Sequence, residues 1–378
     1  MARSLQQNFP GVRLSLQTAL SRRLDLSTPI FGFTHSVDVA AAITNAGGLG
    51  VLGATRMTPG EIEESLAEIK RRVGDRPFGV DLVLPSGMPD RDDRALIEDK
   101  LPPGHKAFVS ELYERYSIPK PTKPGMRSRF VRSQEMADQQ IAAVNASEVN
   151  VFAMGIGSPV DAVQDAKRKG KLVVSLVGAP HHARRAIDAG ADVIVAQGYD
   201  AGAHTGQIGT FSLVPQVVDV AGSIPVLAAG GVATGRHVAA ALAMGAEGVW
   251  LGTAWLVASE NRTEPEILQK LLNAGSMDTV ISKADSGKTL RQLRTSWTDE
   301  WSTSNAPEPL RMPYQDILVG DLLGAIDEHK IEPLMHSPAG QSIAYFDEVR
   351  PVAEIMGALT EEAALAIREL SGLSRNLT

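Results

Sequence analysis

Lys169-Gly170-Lys171-Leu172-Val173-Val174-Ser175-Leu176-Val177-Gly178 and Ala189-Gly190-Ala191-Asp192-Val193-Ile194-Val195-Ala196-Gln197-Gly198 state one phrase twice in succession. In each, a glycine follows a helix-like stretch and opens a short β-branched run that ends on small residues. The glycine suits a helix C-cap, and the run suits a strand buried on both faces. Asn45-Ala46-Gly47-Gly48-Leu49-Gly50-Val51-Leu52-Gly53 and Met244-Gly245-Ala246-Glu247-Gly248-Val249-Trp250-Leu251-Gly252 repeat it. All such runs together are Pro29 to Phe33, Gly50 to Gly53, Phe78 to Leu84, Val149 to Gly155, Leu172 to Gly178, Val193 to Gly198, Pro225 to Gly231 and Gly248 to Thr253. Helical stretches follow most of them: Val37 to Asn45, Pro59 to Arg72, Pro159 to Lys169, His181 to Ala189 and Arg236 to Met244. Strands that alternate with helices pair in parallel, because crossovers cover both sheet faces. Eight units predict an α/β fold, a closed parallel (β/α)8 TIM barrel.

Two regions break this rhythm. Pro85 to Ser133, rich in Pro, Asp, Arg and Lys, interrupts the chain after the third strand, where a long segment is either a functional lid or disordered. The last hundred or so residues carry turn signals at Ser286-Gly287-Lys288 and Asn305-Ala306-Pro307-Glu308-Pro309 and read as a mainly helical appendage. The expected division is a barrel over 1–275, with 85–133 inserted, and an appendage over 276–378. Leu359 to Leu370 has helical spacing and predicts packing on the barrel or on a second subunit, which leaves a homodimer open.

Composition narrows the function. A chain of 378 residues with 43% hydrophobic content can bury one large core. Its net charge of −7 offers no basic stripe to a nucleic-acid backbone. The absence of cysteine excludes disulfides, thiolate nucleophiles and thiolate metal ligands. Met1 to Leu20 mixes Arg, Gln and Asn with its apolar residues, unlike a secretory signal, and no apolar run reaches membrane-spanning length. A soluble cytoplasmic protein with no nucleic-acid or membrane partner is the default expectation.

Barrel active sites lie at the C-terminal ends of the strands. Ala228-Ala229-Gly230-Gly231 ends the seventh strand and Gly252-Thr253 the eighth, the two places where such barrels hold a phosphate on backbone N–H groups. Any one of these glycines alone reads equally well as a tight turn. After the sixth strand comes Ala196-Gln197-Gly198-Tyr199-Asp200-Ala201-Gly202-Ala203-His204-Thr205-Gly206, in which small residues surround one histidine. A loop so rich in glycine is a poor packing element, so His204 is expected to face a cavity. An imidazole there can exchange a proton near neutral pH.

On these residues the chain resembles the nitronate monooxygenase (2-nitropropane dioxygenase) family over roughly Pro29 to Ala258. The resemblance rests on Asn45-Ala46-Gly47-Gly48-Leu49-Gly50, the glycine-histidine loop, and the stretch from Pro225-Val226-Leu227-Ala228-Ala229-Gly230-Gly231 to Gly252-Thr253, in that order. It implies flavin mononucleotide (FMN) as cofactor. Gln197 and Gly202 would touch the flavin, Gly231, Gly252 and Thr253 would hold its phosphate, and Asp81 stands at a flavin-contacting position. Gly198, Gly230, Trp250 and Leu251 adjoin them. His204 falls on the family's catalytic histidine. The implied reaction turns an alkyl nitronate and O2 into a carbonyl compound and nitrite. His204 would act either as a base toward a neutral nitroalkane or, protonated, as a partner for the anionic nitronate.

Departures from the family pattern bear on substrate and redox tuning. Asp81 replaces the usual Asn, Asp200 a Glu, Ala203 a Gly and Trp250 a Gln, and Gly32-Phe33-Thr34-His35 stands where an Ala-Pro-Met segment is expected. Two alternatives follow: a flavin-dependent enoyl-thioester reductase using NAD(P)H, or a catalytically silent flavin-binding protein. Among the other histidines, His35, His181 and His182 are candidate substrate-pocket residues, each with a capping or solvated role as the plain alternative. His105, His237, His329 and His336 have no supporting context, and no histidine pair has metal-ligand spacing. Lys120 to Arg132 reads as a solvated basic loop, and Asp90, Asp92 and Asp93 as surface charges.

Overall fold

The computed structural model describes residues 16–374; most of the N-terminal stretch read for a signal peptide therefore lies outside the described residues. Eight parallel strands close into a barrel: β1 (Ile30–Thr34), β2 (Leu49–Gly53), β3 (Gly79–Val83), β4 (Val151–Gly155), β5 (Leu172–Val177), β6 (Val193–Gln197), then β8 (Val226–Ala229) and β9 (Gly248–Leu251). β9 returns to β1 in register Phe31↔Trp250, which leaves no free edge. These are the eight runs read from the repeated phrase. The two-residue strand β7 (Ala203–His204) leaves the barrel and joins an antiparallel sheet with β10 (Thr279–Ser282) and β11 (Leu290–Leu293).

Alternation along each strand divides the core. Phe31, Val51, Val151, Ala153, Val174, Val193, Val195, Leu227 and Trp250 fill the barrel, whereas Ile30, Ile194, Val226, Val249 and Leu251 face the helices. The crossover helices start on their own signals. Helix Pro59–Val73 is opened by a capping box in which the Thr58 N–H donates to Glu61 at 2.7 Å, with Pro59 in the first turn.

The 85–133 insertion is folded. Helices Arg94–Asp99 and Pro103–Arg115 pack on helix Tyr314–Glu328 from the C-terminal segment. Ile97, Phe108, Leu112 and Val131 share a core there with Trp297, Trp301, Leu318 and Leu322. Arg94 pairs with Asp321, and the Thr122 hydroxyl donates to Glu328 at 2.6 Å. Neither Asp92 nor Asp93 is a bare surface charge, since Asp92 accepts from the Val131 N–H at 2.6 Å and Asp93 caps helix Arg94–Asp99. The last helix, Val352–Ser374, packs on helices Gly235–Ala243 and Val37–Asn45 and buries Met356, Leu359 and Ala363 in the barrel's outer core. The barrel thus covers the first half of its apolar face, while Leu370 and Leu373 are exposed. Among the described residues no helix is long and apolar enough to cross a membrane.

Candidate active site

His204 is placed by backbone pairing, where the sequence led us to expect a free loop. β7 runs against β11 with Leu290 opposite His204 and Arg291 opposite Ala203. Gln197 Nε2, at the end of β6, donates to the His204 carbonyl at 2.5 Å. The ring itself meets the turn between β10 and β11, with Nε2 2.8 Å from the Ser286 Oγ. Ser286 is fully buried. In the Nδ1–H tautomer, Nε2 accepts the serine proton; in the other it donates. Ala203 sits at φ 61°, in the left-handed region, which gives a physical reason for glycine at that position in the family.

The charges around His204 come from segments far apart in sequence. Arg56 Nη2 lies 2.7 Å from Asp316 Oδ1; Arg127 Nη2 lies 2.8 Å from Asp285 Oδ2 and Arg127 Nη1 3.7 Å from Asp316. Among the described residues Arg132 has no ion pair within 4 Å and its buried Nε has no acceptor; its Nη1 donates to the Met312 sulfur at 3.4 Å. Burial, followed by the fields of Arg132 and Arg127, drives the His204 pKa down to about 3. The ring is therefore neutral throughout the physiological range, and the guanidiniums, not an imidazolium, are the cations available to an anion. Burial brings the Arg132 pKa down to about 9, so it stays charged at neutral pH. Behind Ser286, Asp285 accepts from Trp297 Nε1 at 2.9 Å and Gln292 Nε2 at 3.2 Å, and lies 3.0 Å from His336 Nε2. Burial alone would raise this carboxyl, but His336 and Arg127 hold it well below the usual range. His336, which had no context in sequence, is thereby a buried partner of the loop that carries Ser286.

Below this cluster the barrel mouth holds the other predicted residues. Gly230 and Gly231 have φ of 93° and 76°, so their N–H groups follow a path closed to side-chain-bearing residues. Gly252 and Thr253 stand on the adjacent strand end, where a Cβ on Gly252 would meet only Phe33, at 3.9 Å. Gly202 and Gly198 are small for a different reason. A Cβ on Gly202 would strike the Gly340 nitrogen at 2.6 Å, and one on Gly198 the Thr210 hydroxyl at 2.2 Å. Their glycines are explained by packing alone. The Thr253 hydroxyl accepts from the Gly340 N–H at 2.9 Å, so residues 339–341 close one side of the cradle.

Asp81 lies on β3 opposite Gly53 and Ala153, hence inside the barrel. It is 4% exposed, its Oδ2 has no hydrogen-bond partner, and burial raises its pKa to about 7. Trp250 also points inward and stacks on Phe33 with centroids 6.2 Å apart. Leu251 points the other way, into the helix layer, which leaves only its backbone at the mouth. His35 places Nδ1 2.8 Å from the Gly53 carbonyl. Its pKa is lowered by burial despite that bond, with smaller contributions from Arg56 and Arg127, so it shares the electropositive mouth with His204. The residue as a whole nevertheless keeps solvent-exposed surface. His181 and His182 are exposed in the first turn of helix Pro180–Ala189, with rings 4.1 Å apart, and among the described residues no hydrogen bond or ion pair ties them to His204. No cluster of potential metal ligands occurs among the described residues.

A sequence model of the nitronate monooxygenase family matches residues 19–362. A protein of Mycobacterium tuberculosis assigned as a monooxygenase is 39% identical over 376 residues, spanning 95% of this chain and 99% of its own. The nitroalkane oxidase of Streptomyces ansochromogenes superposes with a TM-score of 0.78 at 27% identity, covering 93% of this chain and all of that one. FabK of Thermotoga maritima superposes with a TM-score of 0.74 at 28% identity, over 95% of this chain and 100% of the other. The match across nearly the whole chain, on a closed eight-stranded barrel, shows that this chain belongs to the nitronate monooxygenase family.

Proposed function

We propose that the protein is an FMN-dependent oxidoreductase that converts alkyl nitronates and O2 to carbonyl compounds and nitrite. The observation that carries the reading is the excess of guanidinium over carboxylate in the cluster behind the barrel mouth: Arg56 and Arg127 pair with Asp316 and Asp285, while Arg132 has no ion pair among the described residues. A ring with a pKa of about 3 is a weak base for the α-carbon of a neutral nitroalkane, whereas a nitronate arrives already deprotonated and needs cations and hydrogen-bond donors. Arg132 supplies the charge, and His204, oriented by Ser286, supplies a neutral donor or acceptor beside it.

The residues present fit FMN. The left-handed Gly230–Gly231 pair and the open Gly252–Thr253 end suit a phosphate, and Asp81, inside the barrel, has a buried oxygen without a hydrogen-bond partner among the described residues that a cofactor group could satisfy. When bound, FMN supplies the electron acceptance and oxygen chemistry that no side chain here provides. Asp81 in its protonated form can donate a hydrogen bond to that group, and Trp250 with Phe33 gives an apolar wall. Anion binding offsets the field of Arg132, which raises the proton affinity of His204 once substrate is in place.

The likeness to FabK supports a second reading, an NAD(P)H-dependent enoyl-thioester reductase on the same scaffold. The two separate in one assay. Oxygen-dependent nitrite release from a simple nitronate without nicotinamide supports the first. Rapid NADH or NADPH oxidation coupled to an enoyl thioester, with no nitrite, replaces it with the second.

A further inference from the structure

A cavity of about 670 Å³ opens beside the barrel mouth, between the insertion and helices Gln134–Ala146 and Val160–Arg168. Its size falls within the range of about 300–1,000 Å³ that accommodates organic ligands. Leu84, Met88, Phe130 and Met136 form apolar walls, while Thr55, just after β2, and Arg132 mark the end toward the barrel. Asp138 and Asp161 stand at the solvent side, both exposed.

Arg132 is the informative member. A guanidinium carries five N–H donors, and enclosing it without acceptors is costly. Arg56 and Arg127 are matched by Asp316 and Asp285; Arg132 has a single long contact to a methionine sulfur and a buried Nε with no partner. The cavity thus has a cation at its inner end, apolar side chains along its walls and a rim of mixed charge, Asp138 and Asp161 beside the Arg168–Asp165 pair, so Arg132 is the enclosed, unpaired charge that an anionic head would meet.

We propose that this cavity binds medium-chain organic anions, with the head group on Arg132 and the alkyl chain along Met88, Phe130 and Met136. Resting on the reading above, it makes the preferred substrates nitronates with an extended apolar tail. The 85–133 insertion, which supplies Met88, Phe130 and Arg132, is then the part of the chain that sets chain-length preference.

The test is calorimetric titration of the purified, FMN-supplemented protein with acetate, hexanoate, octanoate and decanoate, none of which can be turned over as a nitronate. Affinity is expected to climb roughly three- to fourfold per added methylene between hexanoate and decanoate. R132Q should bind octanoate about 10- to 100-fold more weakly, while R132K retains most of the binding. A137W, which fills the cavity from helix Gln134–Ala146, should flatten the chain-length series. Thermal unfolding of each variant confirms that it is folded. A flat series in the parent protein, or octanoate binding by folded R132Q equal to the parent's, overturns the proposal. Because the ligands are inert, the series stays readable if nitrite release fails, and nitrite release stays readable if the series is flat.

Discussion

Asp81→Asn isolates the consequence of burying a carboxyl with an unpartnered oxygen. The folded-state pKa is raised from 3.8 to about 7 by burial. Below about pH 4 both folded and unfolded chains hold the proton, so the carboxyl carries no ionisation penalty. Between about 4 and 7 the folded chain retains a proton that the unfolded chain has released, and stability falls as pH rises; above 7 the penalty is complete. A shift of about three units at 1.36 kcal/mol per unit amounts to roughly 4 kcal/mol at pH 8 and roughly 1.5 kcal/mol at pH 5. Asparagine keeps the shape and cannot ionise, so its advantage over the parent should grow by roughly 2 to 3 kcal/mol between those pH values. Urea unfolding of both proteins at pH 5 and pH 8 reads this difference directly. An advantage independent of pH, or an Asn variant less stable than the parent at pH 8, would show that Asp81 is ionised and stabilised by a partner, and the reasoning would fail.

Replacing His204 with Ala should leave FMN bound and lower nitronate turnover by about 10²- to 10³-fold, the effect of losing one positioned hydrogen-bonding group; unchanged turnover with flavin retained removes the residue from the mechanism. Since the ring is neutral above about pH 4, kcat/KM for a preformed nitronate should show no histidine-linked limb between pH 5 and 6, which a pH–rate profile checks. Ala203→Gly relieves a left-handed backbone at φ 61° and should raise stability by up to about 1 kcal/mol, seen as a small rise in unfolding temperature. Asp285→Asn removes the buried counter-charge of His336 and the nearer of the two carboxylates on Arg127 and should cost about 3 kcal/mol in urea unfolding; a variant as stable as the parent would contradict the ion-pair assignment.

The barrel was readable because its strands repeat a local signal, a glycine cap followed by a β-branched run, and local signals need no partner to be recognised. The glycines at 230, 231 and 252 and the lone histidine at 204 carry a local signal of the same kind, but the pairing of His204 with Leu290 does not. What surrounds His204 was not readable, because Arg56, Arg127, Arg132, Ser286 and His336 meet only through tertiary contacts over as many as 280 residues of chain. Lys120 to Arg132 looked like a solvated basic loop, yet Arg127 closes on the fully buried Asp285 and Arg132 has a buried Nε. The one local hint was arginine recurring at 127, 129 and 132 beside apolar Phe130 and Val131. Composition likewise did not separate lid from disorder in the insertion, since the order of helix Pro103–Arg115 comes from Trp301 and the helix at 314–328 rather than from its own weak amphipathicity. Position 203 shows the converse: a residue that breaks the family's glycine pattern keeps the backbone conformation that glycine would favour.

The central claim is that the Gly230–Gly231 and Gly252–Thr253 ends hold FMN beneath His204, and titration of cofactor-stripped protein with FMN, followed by flavin fluorescence, tests it most directly. The account predicts saturable one-to-one binding that survives His204→Asn and is lost when Gly231 is replaced by Val. A parent protein that leaves FMN fluorescence unchanged, or a folded Gly231→Val variant that binds as the parent does, would contradict it.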